Sequence, residues 1–369
     1  MSKMKNLRYI IGCVLLFTLI GVQSAFASTP EASGKSDVNV KDIIFGHIGD
    51  SYEWHVTTWG ETHVTVPLPV IVRSSQTGWH VFLSSAFHHS EEYQGLYIAK
   101  DGNYKGKIVE RDAAGQEVRP IDLSITKTAF ALIFNSLLLI IIVMCVVRWY
   151  KKKPREAAAP KGFVGFMEMF IMMINDDVIK SCVGKDYKRY APYLLTAFFF
   201  IFINNIMGLI PVFPGGANVT GNIAITLVLA LCTFFAVNIF GNKEYWKEVL
   251  WPNVPWWLKF PIPMMPVIEL FGIFTKPFAL MIRLFANIMA GHSAIIGLTS
   301  IVFVTVSMGP AMNGSMTVVS VLFGIFMNCV ELLVAFIQAY VFTMLSAVFI
   351  GLSRAEEHEK EHDSVVESK

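Results

Sequence analysis

Charged residues are scarce in this chain: Asp, Glu, Lys and Arg make up 16% of its 369 residues, whereas 54% are hydrophobic. Soluble domains carry roughly a quarter charged residues. The shortage argues against an ordinary soluble protein and indicates a membrane protein. The formal net charge of +2 points to no particular partner, and nothing in it favours nucleic acid. The positions of the few charges carry more information.

Cysteine is also scarce, with five in the chain and none in residues 28–126. A disulfide framework is therefore excluded for that region. The cysteines are scattered through apolar segments, which favours packing over metal or redox chemistry. Six of the nine histidines lie in residues 28–126, but their spacing matches no metal-ligand pattern, and we interpret them as surface residues. They are His47, His55, His63, His80, His88 and His89. We expect no metal and no cofactor.

Residues 1–27 have the features of a secretory signal peptide. Lys3, Lys5 and Arg8 precede an apolar run at residues 9–22, and Ala25-Phe26-Ala27 offers a small-x-small cleavage site. An uncleaved first transmembrane anchor is the alternative. Cleavage would leave Ser28 at the start of the mature chain, on the outer side of the membrane.

Residues 28–126 carry the signals of short strands. Apolar residues alternate at even positions from 64 to 72, with Pro67 and Pro69 on the other face, which predicts an edge strand. Trp79, Val81 and Leu83 repeat the alternation, and Asp101-Gly102-Asn103 predicts a hairpin turn. We predict a small β-rich exported module, periplasmic in a bacterium.

Residues 127–353 have the composition of a membrane domain. Residues 129–147 are long enough to span, and the basic residues 148–155 that follow predict a cytoplasmic end. Residues 162–190 are too interrupted to span and resemble an amphipathic helix at the interface. Residues 192–210 and 223–240 predict a hairpin of two further spans, with Asn204 and Asn205 inside the first. The charged residues 354–369 form a predicted cytoplasmic tail.

The last two apolar blocks, residues 261–306 and 316–351, are too long for simple spans. As continuous helices they would run on the order of 55–65 Å, about twice the ~30 Å hydrocarbon core. They must therefore be steeply tilted or broken. The loop of residues 307–316, with Gly309-Pro310 and Asn313-Gly314, predicts the turn between them. The fold class is an all-α polytopic membrane protein with about five membrane-embedded helices, a long tilted C-terminal hairpin among them.

Four formal charges occur in residues 261–350: Glu269, Lys276, Arg283 and Glu331. On a helix, Arg283 and Asn287 share one face, whereas the nine-residue spacing puts His292 near the opposite face. On the second helix, a narrow polar stripe is predicted at Asn328, Glu331, Ala335 and Gln338.

An arginine in the middle of a membrane costs ~2.5–3.5 kcal/mol or more unless it is paired or hydrated. A salt bridge between Arg283 and Glu331 is one solution. His292 is a rival partner for Glu331, because a histidine–glutamate pair can pass a proton near neutral pH. If His292 pairs with Glu331, Arg283 needs a carboxylate from another subunit within the bilayer.

Two blocks, FTKPFALMIRLFANIMAGH at residues 274–292 and VELLVAFIQAYVFTML at residues 330–345, resemble the a subunit of F-type ATP synthases. The resemblance extends in order over residues 127–353. It implies the stator proton channel of a rotary motor, a subunit that catalyses nothing by itself. The implied partners are the c-subunit ring, the b-subunit peripheral stalk, the rest of the ATP synthase and membrane lipid, at a bacterial inner membrane.

The resemblance also implies residue roles. Arg283 would face the ring carboxylates and separate two offset half-channels. Asn287, His292, Glu331 and Gln338 would line the outer half-channel or its junction with the ring, and Glu269 would lie toward the cytoplasmic half. In most bacterial members the first helix carries the glutamate and the second the histidine; here they are exchanged, as in mitochondrial members.

Two other classes remain as alternatives. A secondary transporter could use Arg283 to bind an anionic substrate, but the sequence shows no inverted repeat. An exported sensory module with a membrane anchor would not need Arg283, His292 and Glu331. The sequence leaves open whether the coupling ion is H⁺ or Na⁺.

Overall fold

The computed structural model describes residues 49–354, with gaps at residues 60–61, 90–91, 101, 103, 113–114, 153–158, 211–212, 251–263 and 306–308. The predicted signal peptide, His47 and all of the predicted tail beyond Arg354 lie outside the described residues. The chain divides into two compact units. One holds the strands, the helix that follows them as far as Ser136, Ile206–Val219 and Met289–Leu332; the other holds Leu137–Asn205, Thr220–Ile288 and the chain from Leu333.

The described residues before the first long helix contain eight short strands. They pair in antiparallel fashion as three small sheets with the orders β1-β2, β4-β3-β8 and β5-β6-β7. Their bounds are β1 (Glu53–Trp59), β2 (Thr62–Pro67), β3 (Pro69–Ser74), β4 (Gly78–Leu83), β5 (Leu96–Ile98), β6 (Ile108–Arg111), β7 (Glu117–Val118) and β8 (Ile121–Asp122).

The single strand predicted over residues 64–72 is instead two strands, β2 and β3, separated at Leu68. Pro67 and Pro69 flank that residue and have no N–H to donate, so one ladder cannot run through it. The Leu68 N–H donates to the Ser84 hydroxyl at 3.1 Å instead. Strands β5 and β6 do pair as a hairpin, and Gly102 between them has a φ of 88°, whereas Asp101 and Asn103 of the predicted turn lie outside the described residues.

The core of this β-rich region is small and apolar. Val70, Val72, Leu96 and Ile108 are fully buried, and Tyr52 packs with them. The Tyr52 hydroxyl donates to the Asp122 carboxylate. Burial and this hydrogen bond raise the pKa of Tyr52 above its ordinary value. Burial alone would raise the pKa of Asp122, but hydrogen bonds from Ser124 and Tyr52 outweigh it and lower that pKa.

Helices make up most of the rest of the described chain. The helices are α1 (Ala86–His89), α2 (Lys127–Lys152), α3 (Phe163–Met172), α4 (Ser181–Val183), α5 (Tyr187–Leu209), α6 (Ile223–Ile239), α7 (Lys243–Leu250), α8 (Met264–Val304) and α9 (Pro310–Arg354). Four stretches are long and apolar enough to cross a membrane: Lys127–Lys152, Phe163–Leu209, Pro266–Val302 and Ala311–Arg354. The shorter α6 is apolar too. The chain is therefore a polytopic membrane protein.

The segment predicted as one interfacial helix, residues 162–190, is divided. A π-helical stretch, Met173–Lys180, joins α3 to α4, and a 3-10 turn, Gly184–Asp186, leads into α5. The wider π-helical turns and the tighter 3-10 turn both interrupt the regular α-helical hydrogen-bond ladder. Ile174, Val178 and Ile179 of this stretch are nonetheless buried. Its depth in a membrane stays a prediction.

Aromatic rings build the core of the second unit. The Phe170 and Phe202 ring centroids are 5.7 Å apart, and those of Phe202 and Phe336 are 5.9 Å apart. Phe198 is fully buried among them, with Leu194 and Ile201 also at zero exposure. Such tilted and edge-on contacts add to the burial of the rings themselves.

The last two helices are continuous over 41 and 45 residues, so the alternative of broken helices is wrong for α8 and α9. Each is on the order of 60–70 Å long at ~1.5 Å per residue. The turn between them is shorter than predicted, because α9 begins at Pro310 and Asn313 is already helical. Proline suits a first helical position, where its missing N–H costs nothing. The side-chain oxygen of Asn313 accepts a hydrogen bond from the Thr305 hydroxyl at 3.2 Å.

Candidate functional site

Two titratable side chains meet where the long helices face each other. His292 of α8 and Glu331 of α9 approach to 3.3 Å between Nδ1 and Oε1. Their side chains are 18% and 4% exposed. The predicted pairing of these residues is therefore present in the structure. An imidazole beside a carboxylate can accept, hold and release a proton near neutral pH.

Apart from His292, the Glu331 carboxylate has few polar neighbours among the described residues. Both of its oxygens are buried, and neither has a hydrogen-bond donor within the described part of the chain. The 3.3 Å contact with His292 brings the two groups into ion-pair range without a formed hydrogen bond. A buried, under-solvated carboxylate is costly to keep charged. Such a group is suited to accept a proton and pass it on.

Gly291 makes the close approach of Glu331 possible. A Cβ atom at this position would lie 2.9 Å from Oε1 and 3.2 Å from Cδ of Glu331. On the opposite side of the pair, a Cβ on Gly208 would lie 3.7 Å from Nε2 of His292, which is ordinary contact. Sequence reasoning missed Gly291, although a glycine inside a long helix, next to a predicted site histidine, was a signal that could have identified it.

A second polar contact joins α8 to α9 at Asn287 and Gln338. The Asn287 side-chain amide donates to the Gln338 carbonyl at 2.8 Å, and Gln338 is buried. Both were predicted as lining residues, but their direct hydrogen bond was not predicted. The bond holds Gln338, the last residue of the predicted polar stripe of α9, against Asn287 of α8.

Arg283 lies one helical turn before Asn287, and both are exposed. Leu280, Met281 and Leu284 form the buried side of α8 here, and Arg283 lies on an exposed side of the helix. Among the residues that the structure describes, no carboxylate forms an ion pair with Arg283.

Glu269 and Lys276 lie nearer the start of α8. Lys276 lines a small cavity, and its ammonium lies 5.8 Å from the centre of the Phe349 ring. The cavity also contains Asn238 and Tyr245, whose hydroxyl donates to the Asn238 carbonyl at 3.2 Å. Burial, and then the charge of Glu269, raise the pKa of Tyr245. Polar groups thus gather around this part of α8.

Lys127, the first residue of α2, is a cation that the sequence did not single out. Its ammonium lies 5.7 Å from the Trp54 ring, over which it sits. The Thr128 N–H donates to the Asp50 carboxylate at 3.0 Å, so an acidic residue caps the same helix end. The β-rich region thereby supplies both neighbours of Lys127.

Comparison with known proteins identifies two matching family models. The model of the ATP synthase A chain matches residues 132–351. A model described as a domain of unknown function (DUF8433) matches residues 43–125, which contain the strands.

Curated relatives match over longer stretches. An ATP synthase subunit a from Chlorobium phaeobacteroides is 35% identical over 98% of this chain and 97% of its own length. An ATP synthase subunit a from Myxococcus xanthus is 38% identical over 75% of this chain and 88% of its own. An ATP synthase subunit a 2 from Chlorobaculum tepidum is 44% identical over 67% of each.

Proposed function

This chain belongs to the ATP synthase A chain family and is the proton-channel stator subunit of the Fo sector, and from that premise we propose that Arg283 is the residue that meets the carboxylates of the rotating c ring. Its exposed position on α8, with no ion-pair partner among the described residues, is the observation that carries the proposal. An unpaired arginine inside a membrane is too costly to leave alone. A carboxylate from a neighbouring subunit offsets that cost.

Arginine suits this role because it stays protonated at any working pH. It attracts each ring carboxylate that arrives without its proton, and it cannot itself carry a proton across. Arg283 therefore couples rotation to proton flow and blocks direct leakage between two half-channels. The secondary-transporter alternative has no support from the family match.

His292 and Glu331 form the proton relay of the outer half-channel. Their 3.3 Å contact allows a proton to pass from one to the other. The proton then neutralises a ring carboxylate, which can rotate into lipid once it is uncharged. The hydrogen-bonded pair Asn287 and Gln338 lies on the Arg283 side of α8 and lines the junction with the ring. Neutral amides hydrate such a junction without adding a fixed charge.

The cytoplasmic half-channel lies toward the start of α8. Glu269 is partly exposed there, and the cavity beside Lys276, Asn238 and Tyr245 provides polar groups that water can use. A proton released from the ring on this side reaches the cytoplasm past Glu269.

The orientation follows from the basic end of α2. Lys151 and Lys152 lie in its last turn, and basic residues flank spans on the cytoplasmic side. The strands are then periplasmic, the C-terminus is cytoplasmic, and the chain lies in a bacterial inner membrane. Its other partner is the b-subunit peripheral stalk, which holds the stator against the torque of the ring.

The test is Arg283→Ala in the assembled enzyme in inverted membrane vesicles. ATP synthesis and ATP-driven proton pumping should both be lost, while immunoblots show normal assembly. Arg148→Ala is the matched control, because Arg148 is exposed at the far end of α2; it should retain full coupling. Normal coupled activity in the Arg283→Ala enzyme would refute the proposal.

A further inference from the structure

One face of the β4-β3-β8 sheet is unusual for a region outside a membrane. The residues that point to this face are large and apolar, and five of them are more than half exposed. They are Trp79 at 56%, Val81 at 73%, Leu83 at 51%, Ile121 at 58% and Leu123 at 60%. We call this surface the apolar sheet face. Contiguous patches of this kind on soluble domains mark interaction surfaces.

The register shows that these side chains are neighbours. Trp79 pairs with Arg73, which pairs with Ile121, and Val81 pairs with Ile71. The Leu123 N–H donates to the Ile71 carbonyl at 2.9 Å, which extends that row. Because side chains alternate across a sheet, the two rows lie on one face, ~7 Å apart along the strands. The opposite face carries Val70 and Val72 and is the buried core.

A third row of paired residues connects the apolar sheet face to the start of α2. Leu83 pairs with Pro69, whose carbonyl accepts from the Ile125 N–H at 3.1 Å. Two residues later, the Lys127 N–H donates to the Ser51 carbonyl at 2.8 Å as α2 begins. From Leu123 to Lys127 the chain can extend at most ~14 Å. The apolar sheet face is therefore tethered at one end to the start of an apolar span.

We propose that the apolar sheet face lies on the interface of the lipid bilayer at the N-terminal end of α2, and that the β-rich region is a membrane-resting platform. Its continuity with α2, whose Ile133 is also more than half exposed, favours lipid over a protein occupant. The headgroup layer is ~5–8 Å deep on each side of a bilayer, which matches the thickness of one layer of side chains.

The row of Trp79, Arg73 and Ile121, which is the farthest from α2 along the strands, supports lipid contact. The Arg73 guanidinium lies 5.8 Å above the Trp79 ring. Tryptophan is enriched at membrane interfaces, and arginine can lay its apolar stem on lipid while its charge stays among the headgroups. This pair gives the face an amphipathic edge that a buried protein interface does not require.

The experiment uses the assembled ATP synthase in vesicles of phosphatidylcholine and phosphatidylglycerol, in a background with all five cysteines replaced. Val81→Cys carries an environment-sensitive fluorophore, and Gln116→Cys, exposed in a turn of the same region, is the matched control. Nitroxide lipids labelled near the headgroup should quench the label at 81 at least about twofold more strongly than at 116, since interfacial side chains sit ~5–10 Å into the headgroup boundary. Leu83→Cys gives a second position that should behave as 81 does.

Three results would overturn the proposal. Equal lipid quenching at 81 and 116 with full access to aqueous iodide would mean a free surface. Shielding of 81 from both lipid nitroxide and iodide would mean that another subunit, or another segment of this chain, covers the face. Shielding that appears only at high protein-to-lipid ratio would mean a second copy.

Discussion

Gly291 and Glu331 occupy the same small space between α8 and α9: a single Cβ on the glycine would lie 2.9 Å from a carboxylate oxygen of Glu331. Real Cβ atoms do not approach an oxygen that closely when both are fixed. The position of the Glu331 side chain therefore depends on the absence of a side chain at residue 291. Its 3.3 Å contact with His292 depends on the same absence.

Gly291→Ala should lower proton flux. The methyl group would move the Glu331 carboxylate away from His292, and a misplacement of ~1 Å can cost on the order of a hundredfold in a positioned reaction. The rate of ATP-driven proton pumping in inverted vesicles is measured by the quenching of a pH-sensitive fluorescent dye. We expect this rate to fall at least about tenfold.

Gly297→Ala is the control for this change. It lies on the same helix, and a Cβ there meets nothing within 4 Å. Replacing this glycine should leave pumping intact, and the helix should gain slightly in stability because alanine loses less entropy on folding. Equal pumping by the 291 and 297 variants would show that the approach of Glu331 is unimportant.

The exchange of acid and imidazole between the helices gives a second prediction. His292→Glu and Glu331→His should each impair proton pumping, because two like groups then face each other. The double variant restores one acid and one imidazole and should recover part of the flux. A double-mutant cycle on pumping rates measures the coupling. A double variant no better than the worse single variant would contradict the pairing.

The sequence was sufficient for the parts of the site that depend on helical spacing. Placing Arg283 and Asn287 on one face and His292 near the other needed only ~100° per residue, and Arg283 and Asn287 are indeed both exposed on α8. The His292–Glu331 contact followed from the shortage of other charges. Gly291 was missed because its importance lies in a distance between two helices, which spacing along one helix does not contain.

The fold was predicted least well where local chemistry overrides a pattern. The alternation over residues 64–72 continues through Leu68, but two prolines without N–H groups divide the ladder there. Asn313-Gly314 is a strong turn signal, yet Pro310 starts α9 before it. The division of residues 162–190 at a π-helical stretch depends on the tertiary packing of Ile174 and Ile179. The local sequence gives no signal of that packing.

The Tyr52–Asp122 hydrogen bond predicts a pH-dependent stability of the β-rich region. The lowered pKa of Asp122 contributes stability that is present above its ordinary value of 3.8 and is lost as the pH falls below it. The raised pKa of Tyr52 contributes stability that is present below its ordinary value of 10.0 and is lost at more alkaline pH.

Hydrogen exchange of the β3 and β6 amides in the whole protein measures this stability. Asp122→Asn should reduce the loss of stability at acid pH (the acid limb), and Tyr52→Phe should reduce the loss at alkaline pH (the alkaline limb). Each variant should leave the other limb in place. Glu92→Gln is a control, because Glu92 is an exposed carboxylate of the same region that forms no hydrogen bond with this pair. Unchanged limbs in both variants would show that other groups set the pH limits.

The end of α9 is held by Arg354, and its removal should loosen that end. The guanidinium donates to Asp186 at 2.9 Å from Nε and to the Asn242 side chain at 2.8 Å. The Asn242 N–H in turn donates to the Ser353 carbonyl at 3.0 Å. Arg354→Ala should cost about 1 kcal/mol of unfolding free energy, which is less than a buried hydrogen bond to a charged group contributes, because both partners are partly exposed. Asp186→Asn keeps the shape and should cost less.

Thermal unfolding of the purified protein in detergent, followed by hydrogen exchange in the last turns of α9, measures the effect. Lys188→Ala is the matched control, because Lys188 is an exposed cation two residues after Asp186 in the chain. High salt should weaken the wild-type contact and narrow the gap to Arg354→Ala, since partly exposed ion pairs are screened. Faster exchange in the Lys188→Ala protein, or none in the Arg354→Ala protein, would show that Arg354 does not anchor the helix.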